Sequence, residues 1–198
     1  MIGWRRGERR ISSASSEMEG VDMFVYTLPT GLLGRVVGRA LRFRVERFAF
    51  TVNSASTSSS SGKGCSLKSV DVDADSLAAL CEVDRLGLER VPLTLSEVMR
   101  VERRTREYVL DSAHYPRIVY TVERETPHEI KGMLELHGER KPVVCTKTVE
   151  GPELVVRCPI DTRQFNIPSY GLLLGVLSVS PHVRVETRVP LKVLQRSS

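Results

Sequence analysis

No stretch of this 198-residue chain approaches the run of about 20 apolar residues that a membrane-spanning helix needs, so stable membrane insertion is not expected. The opening MIGWRRGERRISSASSEMEG has basic residues but no apolar core behind them, so a secretory signal is not expected. Residues 1–19 read as a disordered polar leader, followed by one domain over residues 20–195. Aromatics make up only 6% and are not interleaved with the basic residues, so a base-stacking surface, and with it a nucleic-acid partner, is not expected. The four cysteines (Cys65, Cys81, Cys145, Cys158) form no CxxC and have no histidine at ligand spacing, so no metal site is expected. Without a signal, the expected compartment is the reducing cytoplasm.

Signatures of catalysis are missing too. His114, His128, His137 and His182 stand beside turns, with no H-x-x-x-H and no local triad pattern. The serines of the polar loop 53–64 have no neighbouring base and no nucleophile elbow. Asp71, Asp73, Asp75 and Glu82 fall at positions one, three, five and twelve of a calcium loop. Ser76, however, stands where that loop needs glycine, and the segment before it reads as a strand. Neither a catalytic residue nor a cofactor is therefore expected, and the protein reads as a non-enzyme.

What is present is alternation. Residues 110–160 hold four short runs of period two separated by turn signals, the pattern of an antiparallel meander. A turn near Pro127 places Tyr120 opposite Leu134 and Val122 opposite Gly132. A second turn, centred between Glu139 and Arg140, places Leu134 opposite Cys145 and Gly132 opposite Lys147. A third at Gly151-Pro152 sets Cys145 opposite Cys158 and Val149 opposite Leu154. One face is then apolar across four strands, interrupted only by Gly132 and Lys147. In a reducing setting the facing cysteines read as two small buried residues, which oxidation would link.

Around the meander, residues 23–28 and 67–74 are strands, and residues 40–52 form one long strand. Leu41, Phe43 and Val45 share a parity that Phe48, Phe50 and Val52 do not, so a β-bulge is expected at Glu46-Arg47. Arg42, Arg44 and Arg47 then form a basic outer ridge suited to an acidic partner, to an anionic membrane or simply to solvent. Residues 94–107 are the one helix, capped by Thr94 or Ser96, with a stripe of Val98, Val101, Thr105 and Tyr108. The alternating segment 183–193 is a last strand, placed at or near an edge by Pro190. The fold class is all-β: an antiparallel barrel of about eight strands with one helix.

Three segments carry a family resemblance. They are VLDSAHYPRIVYTVE (109–123), IKGMLELHGERKPV (130–143) and IDTRQFNIPSYGLLLG (160–175), of which the L-x-L-H-G-x-x-K-P-V hairpin is the most specific. In order and spacing the chain resembles the YceI-like, polyisoprenoid-binding family over residues 20–194. The resemblance implies a lipocalin-like barrel around an elongated apolar tunnel, holding an isoprenoid chain with its polar head near the mouth. Relatives often carry G-H-D-L where this chain reads Gly38-Arg39-Ala40-Leu41.

The expected function is non-enzymatic carriage of a long-chain isoprenoid or similar lipid. The expected tunnel wall includes Leu41, Phe43, Phe48, Phe50, Tyr120, Leu134, Leu136, Val156 and Ile160. Lys147 and Arg39 are the candidates for meeting an anionic head, set against the plainer roles of a lysine snorkelling to the rim and a solvated arginine. The alternative is a barrel with a filled core, serving as a protein-interaction or stress-related structural module; a homodimer is admitted in either case.

Overall fold

Alternating residues become one antiparallel sheet in a computed structural model that describes residues 8–14, 18–29, 40–53, 66–84, 88–167, 171–172 and 177–196. The strands are β1 (Glu8–Ser12), β2 (Asp22–Pro29), β3 (Ala40–Val45), β4 (Phe48–Asn53), β5 (Ser66–Asp73), β6 (Leu77–Val83) and β7 (Glu89–Pro92). They continue with β8 (Arg117–Glu125), β9 (Glu129–Leu136), β10 (Glu139–Glu150), β11 (Glu153–Asp161), β12 (Gly171–Leu172) and β13 (Leu177–Pro190). Helix α1 (Leu95–Arg104) precedes β8, and a short α2 (Leu191–Arg196) follows β13. Neighbours run β1-β4-β5-β8-β9-β10-β11-β13-β2-β3-β6-β7, with β12 paired to β13. The sheet curls into a lipocalin-like half-barrel of twelve strands in that path, not eight.

The curl is made at one corner. Residues 40–52 do not form a single bulged strand; they break at Glu46-Arg47 into β3 and β4, which lie at opposite ends of the sheet path. Their partners β5 and β6 break alongside, through the turn Ala74–Ser76. Backbone bonds cross the corner, from Glu46 N–H to the Ser76 carbonyl (2.9 Å) and from Asp73 N–H to the Arg47 carbonyl (3.1 Å). Ser76 is buried there and its hydroxyl donates to the Asp73 carbonyl at 2.7 Å. A bulge bends one strand, whereas this corner turns a whole hairpin, which closure of the sheet requires.

Other expectations are corrected by the sheet. The segment read as a leader supplies β1, whose Ile11 packs into the core. Strand β13 lies inside the sheet between β11 and β2, not at an edge. Pro190 is tolerated because it is the strand's last residue and α2 begins directly after it. The aspartates go to separate tasks: Asp71 pairs with Arg117, Asp73 with Arg47 at 2.8 Å, and Asp75 accepts from the Ser112 hydroxyl at 2.5 Å. The helix forms where expected, with a capping box in which Thr94 and Glu97 satisfy each other's end of the first turn.

The concave apolar face as candidate functional site

Period two sends alternate residues of each strand to the concave side, where one hydrophobic cluster spans β2 to β5 and β8 to β11 as well as β13. All nine expected wall residues that the structure describes belong to it: Leu41, Phe43, Phe48, Phe50, Tyr120, Leu134, Leu136, Val156 and Ile160. They divide by burial. Phe43, Phe48, Leu134, Leu136 and Ile160 are buried, while Leu41, Phe50, Tyr120 and Val156 keep partial access. The accessible set continues through Val70 and Val72 on β5, Ile118 and Val122 on β8, and Val183 and Val185 on β13. Part of the interior is therefore packed core, and part is an apolar surface that its neighbours leave unsealed.

Tyr120 and Gly132 form the strap across this face. Strand β8 pairs with β9 in the expected register, Tyr120 with Leu134 and Val122 with Gly132. A Cβ on Gly132 would lie 2.2 Å from the Thr121 carbonyl oxygen and 2.9 Å from Cζ of Tyr120. The missing side chain lets the tyrosine ring cross β9, and its hydroxyl donates to the carbonyls of Ile130 (3.2 Å) and Val143 (3.0 Å). Burial, with the charge of Glu123 adding, pushes the Tyr120 phenol up to about 12. The phenol is a structural donor in an apolar wall.

The next hairpin departs from expectation. Leu136 faces Glu139, Leu134 faces Lys141 and Gly132 faces Val143, so the turn is the two residues His137-Gly138. Both have positive φ, 52° and 77°, as the tight hairpin turn that matches sheet twist demands. Tyr115 covers it, with its ring 4.5 Å from that of His137. Moving the turn shifts the partner of Leu134 by four residues, from Cys145 to Lys141, and because four is even the apolar face survives.

Lys147 consequently does not face Gly132. It lies on the concave side opposite Val156, beyond the end of β9, where its backbone N–H donates to the His128 carbonyl at 2.7 Å. Its ammonium reaches Glu125 at 2.6 Å and the Thr126 carbonyl at 3.1 Å. The charge is thus already matched at the rim. Arg39 lies outside the described residues. Cys145 and Cys158 meet as expected, but as a disulfide, with Cα atoms 4.2 Å apart across β10 and β11.

The convex side of the same strands is organised by charge, a feature that strand periodicity does not announce. Glu186 is 2% exposed and receives Arg157 at 2.9 Å and Arg188 at 2.7 Å. Arg157 also holds Glu150 at 2.6 Å, and Arg188 holds Glu153 at 3.2 Å. The Arg42 guanidinium stacks 4.9 Å from the centre of the Phe24 ring, and that of Arg184 stacks 4.6 Å from Tyr26. The expected basic ridge is neutralised: Arg42 pairs with Glu89, Arg44 with Asp22 and Arg47 with Asp73.

Comparison with known proteins agrees with this architecture. A crystal structure of BcnA from Burkholderia cenocepacia is similar over 86% of this chain and 96% of that one, with a TM-score of 0.50 and 13% sequence identity. No curated protein sequence matches. The family model for the YceI-like domain matches residues 32–191, which covers the sheet from β3 to β13, the corner and the strapped hairpin, and the chain belongs to the YceI-like family.

Proposed function

We propose that this protein binds and carries a long-chain isoprenoid or similar lipid in the concavity of its half-barrel, without catalysing a reaction. The observation that carries the reading is the unsealed part of the concave face. Phe50, Val72, Ile118, Tyr120, Val156 and Val185 belong to the apolar cluster yet keep partial access. Each chain methylene moved from water onto such a wall contributes about 0.8 kcal/mol, so a long ligand needs no special polar contact to bind tightly. Family membership supports the same ligand class, because YceI-like proteins generally bind polyisoprenoids.

An anionic head would meet Lys147 only by displacing Glu125 from it, and Arg39 is the other candidate by sequence. The histidines support a non-enzymatic reading, since His114 is held by Asp111 at 2.8 Å and His137 serves its turn. The filled-core alternative draws on the packed half of the cluster, Phe43, Phe48 and Ile160 among it.

Compartment is part of the same reading. The cytoplasm is one candidate, whereas the Cys145–Cys158 disulfide is of a kind that persists in oxidising surroundings. Fractionation of the native host with thiols blocked at lysis decides between them.

The test of carriage is native mass spectrometry of protein from its own host, followed by organic extraction. Near-stoichiometric recovery of an isoprenoid or other long chain is the expected result. An apo mass that does not change on adding an isoprenoid would move the reading to the filled-core module. Lys147→Ala and Arg39→Ala then test the head-group contacts.

A further inference from the structure

The large apolar side chains that the fold leaves exposed are not spread evenly. Of seven among the described residues, Leu88 (63% exposed), Val91 (57%), Leu95 (77%) and Met99 (65%) fall within the twelve residues 88–99, from the residue before β7 into the second turn of α1. Strand β7 ends the sheet path and only Leu93 and Thr94 separate it from α1, so these side chains lie along one segment at the end of the sheet. Helix α1 carries two apolar stripes. Val101 packs against the core and Glu102 takes the Ala79 N–H at 3.0 Å, which fixes the inner side. Leu95 and Met99, one turn apart, stand on the outer side with no such use.

Charge on these elements is equally one-sided. Its acids are engaged: Glu89 with Arg42, Glu97 in the capping box, and Glu102 with Arg106 at 2.8 Å. Arg90, Arg100, Arg103 and Arg104 have no carboxylate partner among the described residues, in contrast with the paired arginines of β3 and the corner.

We propose that this surface docks the protein on an anionic lipid bilayer, with Leu88, Val91, Leu95 and Met99 entering the interface and the four arginines meeting the headgroups. Unmatched cations beside flexible aliphatic side chains on a short amphipathic helix are what a charged interface recognises. β7 and α1 themselves carry no aromatic anchor, and Tyr108, exposed on the turn that continues α1, is of a type enriched at membrane–water interfaces. The docking surface rests on the carrier reading, which requires the cargo to leave and enter a membrane.

The experiment is co-sedimentation of the full chain with vesicles of phosphatidylcholine, with and without phosphatidylglycerol, at low and high salt. Binding is expected on the anionic vesicles at low salt, weakened by salt. Arg100→Gln/Arg103→Gln should lower the apparent affinity about tenfold, and Leu95→Ser/Met99→Ser should do at least as much, with unfolding temperature unchanged because all four side chains are exposed. Absence of binding to anionic vesicles, or variants that bind as the parent does, would overturn the proposal. So would a parent self-association, seen by sedimentation velocity, that Leu95→Ser/Met99→Ser abolishes, since it would give the surface to a second copy. Vesicle binding by a protein that yields no extracted lipid keeps the docking surface and removes the cargo. Extracted lipid without vesicle binding overturns the docking surface alone.

Discussion

On β11, Leu154, Val156 and Cys158 join the concave cluster, while Val155 and Arg157 between them lie on the convex side. The two sides are built by alternate residues of the same strands, yet they treat burial in opposite ways. On the convex side Val155 and Glu186 are almost fully covered, beneath a lattice of arginines and carboxylates that binds β10, β11 and β13 together. The concave side holds most of the buried residues, and about as many of its apolar side chains again keep partial access. A sheet selected only for stability would close its greasy face first, because apolar burial is the larger favourable term. Here the apolar face is closed at Phe43, Phe48, Leu134 and Ile160 but left partly accessible at Phe50, Tyr120 and Val156, whereas cover on the polar face is confined to Val155 and Glu186 beneath the ion pairs.

The strap is where the concave side is tightest, and Gly132→Ala should break it with the largest effect. The added Cβ meets the Thr121 backbone at 2.2 Å, which a rotamer change cannot relieve. A loss of about 3 kcal/mol in urea unfolding is expected. Adding Tyr120→Leu should not restore it; full restoration would show that the ring, and not the backbone, was the obstacle.

On the convex side the equivalent test is Glu186→Gln. It leaves Arg157 and Arg188 without the anion they share in a position 2% exposed. Both arginines also hold a second carboxylate and retain some solvent, so the cost should be about 2 kcal/mol, below the usual figure for breaking a fully buried pair. Unfolding that is unchanged in low salt would mean the lattice contributes nothing and would remove half of the comparison.

Tyr120→Phe deletes two hydrogen bonds from the apolar side and should cost about 1 kcal/mol. It also changes an alkaline slope. The unfolded phenol ionises near 10.0, while the folded one holds its proton to about 12. The tyrosine's contribution is therefore whole below pH 10 and declines as pH rises from 10 to 12. In Tyr120→Phe that part of the decline should vanish, as thermal unfolding across the window would show.

Much of this was legible in alternation. The hairpins of β8 with β9 and of β10 with β11 have the register read from residues 110–160, because one apolar face admits few solutions. The middle hairpin escaped, since a histidine tolerating positive φ before Gly138 cannot be inferred from polarity alone. Strands β6 and β7 escaped as well. LAALCEV alternates in burial but is built, Glu82 apart, from small and apolar residues, so period two leaves little mark in its composition. The members of the apolar cluster were legible because they share a parity. The charge lattice was not, because Arg157, Glu186 and Arg188 are ordinary surface residue types that only tertiary pairing brings under cover.

The smallest expected change in stability carries the most about function. Val156 lies on the concave side opposite Lys147 and keeps partial access, so Val156→Phe enters space that is not packed. In a sealed core such an enlargement forces neighbours apart at a cost of about 1–3 kcal/mol. On an unsealed wall it should cost less than about 1 kcal/mol, since the ring gains contacts as it fills the gap. Lipid recovered by extraction should fall sharply in the same variant, because the ring occupies the volume the chain would use. A destabilisation of the full core size would show that the concave side is closed at Val156, and the contrast between the two faces would then reduce to one of composition alone.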